Sequence, residues 1–267
     1  MMEQRKQIEI AHYESHAKEW LSQHGPATTT ASDFEGFPPS VLSSYQKCYE
    51  LATRYGKGKD VLDFGCGNGV HVPTLASVAQ SVVGIDLSES SLDIACRRIA
   101  NLSDREKIQL KKMDCENLEF SDNTFDLVFD GGVFSSLDFD RALSEIARVL
   151  KPDGVLIGIE TFGHNPLMNL KRKLNEKSGK RTTWAASHIL TTASLKKARQ
   201  YFANVEVNYF HLLSWIALPF IGKPGGIALL RVLEAIEAAL LTIPFLKKYA
   251  FKIVFVCSQP IKQLPQT

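Results

Sequence analysis

The sequence lacks the cysteine spacing of a disulfide framework or of a zinc finger. Its five cysteines are an odd number, and no two of them form a C-x-x-C pair. Such a set is typical of reduced thiols rather than of a small secreted domain. The first 20 residues are charged and have no apolar core of a signal peptide. Both absences lead us to expect a cytoplasmic protein without metal sites built on cysteine pairs.

The sequence also lacks a strong charge of either sign. Its formal net charge of +2 gives no electrostatic reason to expect nucleic acid as a partner. Apolar residues make up 45% and charged residues 22% of the 267 positions, which is enough apolar material for a sizeable core and argues against wholesale disorder. A chain of this length is one large domain or one domain with insertions.

A glycine-rich turn after a short strand is the most informative feature that is present. Residues 60–69 begin as an apolar strand that ends near Asp63, and three glycines follow in the pattern G-x-G-x-G. Residues 70–79 then have a helical pattern. Such a turn lets the backbone approach a ligand closely and directs helix N–H groups toward it. The pattern alone does not identify the ligand.

A second short strand, residues 82–88, contains an acid at its end. Asp86 lies 23 positions after Asp63, where a carboxylate can accept hydrogen bonds from both hydroxyls of a ribose. Two more segments with acids follow at 113–116 and 125–130. The meaning of the glycine turn depends on this ordered set of segments.

These segments resemble the class I S-adenosylmethionine-dependent methyltransferases of the small-molecule, type 11-like kind. The resemblance spans roughly residues 55–160 and implies an α/β, Rossmann-like fold. That fold has a seven-stranded, mostly parallel sheet with helices on both faces, an antiparallel last strand and a helical lid or insertion. The matching segments are 61–69, 84–88, 113–120, 125–137 and 150–160.

The resemblance also divides the chain. Residues 1–39 are expected to form a helical lid and a linker, and residues 40–160 the cofactor-binding core. Residues 161–267 are expected to complete the sheet and to carry acceptor-side insertions at 161–190 and 211–248. Within this frame the patterns predict helices at 1–24, 40–55, 88–100, 138–150 and 192–201, strands at 108–112, 125–129, 155–159, 205–210 and 251–257, and a turn at 151–154. Ser40 and Ser88 are the expected caps of the second and third of these helices.

The cofactor implied by the resemblance is S-adenosyl-L-methionine, with S-adenosyl-L-homocysteine as product. Tyr13 aligns with an aromatic of the lid, although Tyr13 and Trp20 could instead only pack their helix down. The carboxylate of Asp114 is expected beside the adenine amine, with the N–H of Cys115 on a ring nitrogen. Cys66 and Cys115 are expected as small fillers rather than reactive thiols. The implied cofactor-binding set is Tyr13, Asp63, Gly65, Cys66, Gly67, Asn68, Gly69, Asp86, Leu87, Asp114, Cys115, Asp130 and Gly131.

Methyl transfer from a sulfonium is an in-line displacement, so positioning supplies most of the catalysis. A general base is needed only for an alcohol, a phenol or a protonated amine. The sequence does not fix that base: His164 is the candidate that follows the fifth strand, His188 is an alternative, and Glu160 could orient the acceptor. His12 and His16 stand one helical turn apart, but no further ligand completes a metal site, so no metal is expected.

Two acceptor classes are disfavoured by resemblance. Residues 130–133 are Asp-Gly-Gly-Val, not the N-P-P-Y type of enzymes that methylate amino groups of nucleobases or glutamine. The acidic metal cluster of catechol methyltransferases is also missing. The leading hypothesis is therefore methyl transfer to O or N of a small, partly apolar molecule. The alternative acceptor is a lipid, isoprenoid or glycan precursor at a membrane surface.

Two further function classes share the glycine turn. A nicotinamide-dependent oxidoreductase would usually have G-x-G-x-x-G, whereas position 70 is Val. A cofactor-binding scaffold without catalysis is the other alternative. The sequence names neither the acceptor nor the oligomeric state, which we expect to be monomer or homodimer.

The apolar segment 211–248 has three interpretations. Residues 212–221 are too short to span a bilayer, and residues 227–246 carry Arg231, Glu234 and Glu237. These three charges share one narrow helical stripe, and the wide remaining face is apolar. The segment covers an apolar acceptor pocket, forms core or a dimer contact, or makes a peripheral contact with a membrane.

Overall fold

One mixed sheet organises the chain in the computed structural model, which describes residues 2–24, 41–179 and 181–262. Within these residues the sheet has seven strands: β1 (Asp60–Phe64), β2 (Ser81–Asp86), β3 (Ile108–Lys112), β4 (Phe125–Asp130), β5 (Leu150–Thr161), β6 (Phe202–Phe210) and β7 (Lys252–Pro260). Their order is β3-β2-β1-β4-β5-β7-β6. Strands β1 to β5 are parallel, and β7 runs antiparallel to both β5 and β6. The predicted fold class is confirmed.

Helices cover both faces of the sheet. They are α1 (Met2–His24), α2 (Ser43–Gly56), α3 (Val72–Ala76), α4 (Glu89–Ile99), α5 (Phe139–Val149), α6 (Pro166–Lys177), α7 (Thr183–Ser187), α8 (Thr192–Ala198), α9 (Gly226–Leu240) and α10 (Pro244–Lys247). Short 3-10 turns lie at Arg105–Lys107, Phe134–Ser136 and Ser214–Phe220. Helix α5 packs with α8 on one face, and α2, α3, α4 and α9 contribute to the core on the other.

Alternation along the strands builds the two cores. Leu62 and Phe64 of β1 are buried in one cluster, whereas Val61 belongs to the cluster on the opposite face. Successive side chains of a strand point to opposite faces, so a parallel sheet covered on both sides needs apolar residues at nearly every position. The predicted strands were found because they are such apolar runs.

Side-chain caps fix several helix starts. Ser88 Oγ accepts from the N–H of Ser91 at the start of α4, as predicted. Asp138 accepts from the N–H groups of Asp140 and Arg141 at the start of α5. Helix α2 begins after Leu42 without a side-chain cap, and the predicted cap Ser40 lies outside the described residues.

Several predicted boundaries were wrong. Strand β6 begins three residues earlier, β7 ends three residues later and α8 ends three residues earlier than predicted. Strand β5 begins at Leu150, so the predicted turn at 151–154 belongs to the strand, with a register irregularity where it pairs with β4. The ammonium of Lys151 holds this part in place through Asp126 at 2.7 Å and Asp60 at 3.3 Å. Helix α3 is limited to Val72–Ala76, because the N–H groups of Ser77, Val78 and Ala79 close its C-terminal turn.

Two of the three charges in the stripe of α9, the carboxylates of Glu234 and Glu237, face the protein, whereas Arg231 is exposed. Glu237 is buried and accepts hydrogen bonds from the N–H groups of His211, Leu213 and Ser214, each at 2.9 Å. Glu234 accepts from the N–H of Ser43 at 3.0 Å. The carboxylates therefore fasten α9 to the loop after β6 and to α2. No helix in the described ranges combines the length and the apolar character needed to cross a membrane.

Glu237→Gln should destabilise the protein, because an amide NH₂ cannot accept from the donors that surround the carboxylate. We expect a loss of about 2–4 kcal/mol in the free energy of unfolding, measured by urea denaturation. Glu206→Gln, at an exposed position of β6, is the matched control and should stay within about 0.5 kcal/mol of wild type. Equal stability of both variants would show that the hydrogen bonds accepted by the Glu237 carboxylate do not stabilise the fold.

Candidate functional site

A cavity of about 350 Å³ lies at the C-terminal ends of β1, β2 and β4, beneath α1. This edge of a parallel sheet is where open α/β folds collect ligands. The lining combines the glycine turn after β1, the end of β2, the segment after β3 and the turn after β4. Of the predicted cofactor-binding residues, those that line it are Tyr13, Gly65, Cys66, Gly67, Asn68, Asp86, Leu87, Asp114, Cys115 and Gly131.

The glycine turn owes its shape to positive φ angles. Gly65 has a φ of 71°, and a Cβ there would lie 2.7 Å from the side chain of Val133. Gly67 has a φ of 51°, and a Cβ there would meet no atom within 4 Å. The first glycine is needed for packing, whereas the second leaves open space beside the cavity. A side chain at either position would be strained.

Asp86 joins the glycine turn to β2. Its carboxylate accepts from the N–H of Gly67 at 2.9 Å and from the N–H of Ser88 at 2.8 Å. Burial raises the pKa of this carboxyl, although both backbone hydrogen bonds lower it. The side chain lines the cavity and has acceptor capacity left for a ligand.

Asp114 lies across the cavity from the glycine turn. One of its oxygens accepts from the N–H of Glu116 at 2.9 Å, and the other is bonded by Lys6. The thiols of Cys66 and Cys115 are buried in the lining, and burial raises the pKa of both. Neutral, buried thiols fit the small fillers expected at these positions.

Residues 62–158 match the family model described as "Methyltransferase domain". The strand order and the cavity agree with this match. Residues 62–158 therefore carry a methyltransferase domain. The matched range falls within the predicted core of residues 40–160.

The sequence relatives of the methyltransferase domain carry related names. One is a demethylmenaquinone methyltransferase of Lactobacillus johnsonii, 37% identical over 133 residues, which are 48% of this chain and 54% of that protein. Another, from Staphylococcus epidermidis, is 39% identical over 109 residues, or 39% of this chain and 44% of that protein. The chain thus spans about half the length of the curated relatives that it matches.

Solved structures share the fold at low identity. Geranyl diphosphate C-methyltransferase of Streptomyces coelicolor superposes with a TM-score of 0.54 at 16% identity, covering 80% of this chain and 79% of that one. A phosphoethanolamine N-methyltransferase of Haemonchus contortus gives a TM-score of 0.58 at 20% identity, covering 86% and 56%. At this identity the likeness concerns the fold alone.

Helix α1 covers the cavity through polar contacts. Tyr13 OH and Ser136 Oγ share a hydrogen bond at 3.0 Å, and Arg5 donates to the carbonyl of Ser136 at 2.8 Å. Glu14 accepts from Ser88 Oγ and from the N–H of Ser90, both at 3.0 Å. These bonds reach the ends of both β2 and β4, so α1 is fastened over the cavity, where the sequence predicts a lid.

Three buried carboxyl groups lie behind the cavity of the methyltransferase domain. Asp63 is fully buried and has no hydrogen-bond partner among the described residues, and burial raises its pKa to about 8. Asp130 bonds the N–H groups of Gly132 and Val133 at 2.9 Å, and burial next to Glu160 raises its pKa. Burial also raises the pKa of Glu160 to about 7. Asp63 and Asp130 are therefore not lining residues, and neither is Gly69.

His164 lies outside the lining of the cavity. It is partly buried, and its Nε2 accepts from the N–H of Thr192 at 3.1 Å, at the start of α8. Burial lowers its pKa. His188 stacks on Trp184 with ring centroids 3.7 Å apart. Both histidines thus have structural contacts in the acceptor-side segment, and neither lines the cavity.

His71 is a lining residue that the sequence analysis missed. It shares a hydrogen bond at 2.8 Å between Nδ1 and Tyr49 OH, and its ring is buried beside Phe129. Burial, with Lys252 and Arg98 nearby, lowers its pKa to about 3, so the ring is neutral at physiological pH. The only sequence signal is its position two residues after the third glycine, where the helix begins.

Metal ligation has no support in the ranges 2–24, 41–179 and 181–262. No group of three or more His, Cys, Asp or Glu side chains there is arranged to hold an ion. His12 and His16 do lie close together, with ring centroids 4.2 Å apart.

Glu14→Gln should loosen the lid. Hydrogen bonds from Ser90 and Ser88 hold the pKa of Glu14 at about 2, so the charged form makes these contacts at neutral pH. We expect faster amide hydrogen exchange along residues 5–20 and unchanged exchange in the sheet. Glu19→Gln is the control, because Glu19 bonds only Gln23 of the same helix. Identical exchange in both variants would contradict the lid contact.

Asp63→Asn should change how stability depends on pH. The Asp63 carboxyl has an ordinary pKa of 3.8 and one of about 8 when folded, so its protonated form favours folding. That contribution is present below the unfolded pKa and is lost as the pH rises through 8. Relative to wild type, the Asn variant should gain up to about 1.4 kcal/mol per pH unit between pH 6 and 8, measured by urea unfolding. Asp153→Asn, at an exposed position, should show no such gain.

Proposed function

We propose that the chain is an S-adenosyl-L-methionine-dependent methyltransferase that acts on O or N of a small, partly apolar molecule. The observation that carries the proposal is the cavity in which the glycine turn, Asp86 and Asp114 converge beneath α1. The open space at Gly67 fits a ligand that approaches the backbone closely. The names of the relatives, which include demethylmenaquinone methyltransferase, support a small-molecule acceptor.

The proposed cofactor-binding roles follow from acceptor and donor chemistry. Asp86, already fixed by two N–H groups, would accept from the ribose hydroxyls. Asp114 would accept from the adenine amine, with the N–H of Cys115 beside the ring. Lys6 bonds Asp114 in this structure, so this lid residue would share the carboxylate or move away from it. When bound, S-adenosyl-L-methionine supplies an electrophilic methyl group on a positively charged sulfur.

The chain's own residues would then exclude water and position the acceptor. Helix α1 closes the cavity, and the neutral side chains of Val133, Leu137 and Cys115 give its lining an apolar part. Buried acids behind the lining, Asp63 and Asp130, would favour a cation in front of them in their ionised forms, so cation binding would be coupled to proton release. Positioning of this kind can contribute roughly 7–11 kcal/mol to a displacement.

A base is needed only for an acceptor that must lose a proton. His164 stays a proposal for that role, although it bonds Thr192 beside α8. His71 is the neutral histidine of the lining, and its partner Tyr49 fixes one ring nitrogen. A neutral imidazole with a pKa of about 3 is a weak base, so His71 fits hydrogen bonding to the acceptor better than proton removal.

A second acceptor class is a lipid, isoprenoid or glycan precursor at a membrane surface. The observation that favours it is the exposed apolar face of α9, where Val232 and Ile236 are 57% and 46% exposed. Five free cysteines support a reducing compartment such as the cytoplasm.

Asp86→Ala should weaken binding of S-adenosyl-L-homocysteine about 100-fold, because two hydrogen bonds to a charged acceptor are lost. Isothermal titration calorimetry measures the change. Glu89→Ala is the control, because Glu89 lies three positions after Asp86 and pairs with Lys112 in solvent. The affinity of this variant for S-adenosyl-L-homocysteine should match that of the wild-type protein. Absence of binding by the wild-type protein, or equal affinity of the Asp86 variant, would overturn the proposal. If the wild-type protein binds the cofactor product, turnover is assayed first with demethylmenaquinone.

A further inference from the structure

Helix α9 turns its apolar side outward. Leu229, Val232 and Ile236 follow each other at i, i+3 and i+7 and are 38%, 57% and 46% exposed. The opposite side carries Glu237, which is buried against the loop after β6. A helix on the surface of a globular protein normally has the reverse arrangement, with its charged side in water.

The apolar exposure continues on both sides of α9. Ile216 and Phe220 of the preceding turn are 45% and 42% exposed, and Phe245 of α10 is 64% exposed. Single exposed apolar residues are common and need no explanation. Several of them at regular spacing within one segment indicate a surface that binds a partner.

Helix α6 has a second face of the same kind. Leu167, Leu170 and Leu174 lie at i, i+3 and i+7 and are 57%, 58% and 58% exposed. Lys171 and Lys177 are also exposed. Their spacing from the leucines, four residues after Leu167 and three after Leu174, places them on the same side of the helix. Leucines flanked by lysines are typical of helices that lie in the interface of a bilayer, where the ammonium groups reach the lipid headgroups.

Both faces arise at the edge of the sheet that holds the cavity. Helix α6 follows the C-terminal end of β5, and residues 211–251 connect the C-terminal end of β6 to the start of β7. The register pairs Thr161 of β5 with Lys252 of β7 and Lys252 with Phe210 of β6. The side-chain amide of Asn165, which caps α6, donates to the carbonyl of Tyr249 at 2.9 Å. The start of α6 is therefore bonded to the segment that carries α9, beside the cavity edge.

The charges beside the two apolar faces indicate what kind of surface binds there. In residues 211–248 the cations are Lys223, Arg231, Lys247 and Lys248. Arg231 pairs with Glu234 at 2.6 Å, and both carboxylates, Glu234 and Glu237, accept from backbone N–H groups. On α6 three exposed lysines accompany one glutamate. A two-fold contact between copies would bring these cations together, whereas an anionic lipid surface complements them.

We propose that the exposed apolar faces of α6 and α9, with the lysines beside them, dock the chain on an anionic lipid surface. This docking does not depend on the proposed function. Its consequence does: with that function, the cavity edge would face the layer from which an apolar acceptor is taken.

Co-sedimentation of the full chain with vesicles tests the proposal. The probes are phosphatidylcholine vesicles and vesicles with about 30% phosphatidylglycerol, and we expect clear binding to the anionic ones. Val232→Glu and Leu170→Glu should each weaken that binding about tenfold. Lys171→Gln should weaken it about fivefold on anionic vesicles and leave binding to neutral vesicles unchanged.

Ile261→Glu is the matched control. Ile261 is 45% exposed and lies at the opposite edge of the sheet, just after β7, where its N–H donates to the carbonyl of Tyr201. The same change of charge there should leave sedimentation as in wild type. Circular dichroism and S-adenosyl-L-homocysteine titration of each variant separate loss of docking from loss of folding or of cofactor binding.

Three results would overturn the proposal. The first is no co-sedimentation of the wild-type protein with anionic vesicles. The second is a loss of vesicle binding in the Ile261 variant equal to that in the Val232 variant. The third is a dimer in analytical ultracentrifugation that Val232→Glu dissociates while vesicle binding stays unchanged. Failure of cofactor binding with intact sedimentation would instead reject the proposed function and leave the docking surface standing.

Discussion

The hydrogen bond from the N–H of Gly67 to the Asp86 carboxylate is the contact on which the site depends. It holds a turn with positive φ angles against the end of β2. The same carboxylate accepts from the N–H of Ser88, whose hydroxyl caps α4 and donates to Glu14 of α1. One side chain thus connects the glycine turn, the second strand, the following helix and the lid. Because these links are in series, the shape of the cavity is determined by a few charge-assisted bonds rather than by apolar packing.

The buried acids show a second constraint. They lower the stability of the folded protein but place carboxyl groups with raised pKa values behind the cavity. Asp63 has no partner, and Asp130 leaves one oxygen without one. An unpaired buried carboxyl destabilises the folded state unless it stays protonated, and burial accordingly raises the pKa of both groups. Groups of this kind cluster at functional sites. A bound cation in front of them would favour their ionised forms, so ligand binding and proton release would be coupled.

Local patterns predicted most of the core but not its contacts. Strand β3, the cap at Ser88 and helix α5 follow from apolar spacing and capping chemistry, which act within a few residues. The early start of β5 was missed because residues 151–154 have turn composition, and Lys151 holds them through ion pairs with residues distant in sequence. His71 was missed for a similar reason, since only the fold brings Tyr49 and Gly131 against its ring.

Helix α9 explains why an amphipathic pattern gives the face but not its direction. The expectation that charges point to water holds when water is their best partner. Here the three N–H groups at residues 211–214 need an acceptor, and the Glu237 carboxylate supplies it inside the protein. Once Glu237 is fixed, helical geometry forces Val232 and Ile236 outward. The edge of the sheet is consequently divided: polar and charged contacts of α1 reach the ends of β2 and β4, and apolar and cationic side chains follow the β5, β7 and β6 side. That division suits a polar cofactor and a partly apolar acceptor that reach one cavity from different surroundings.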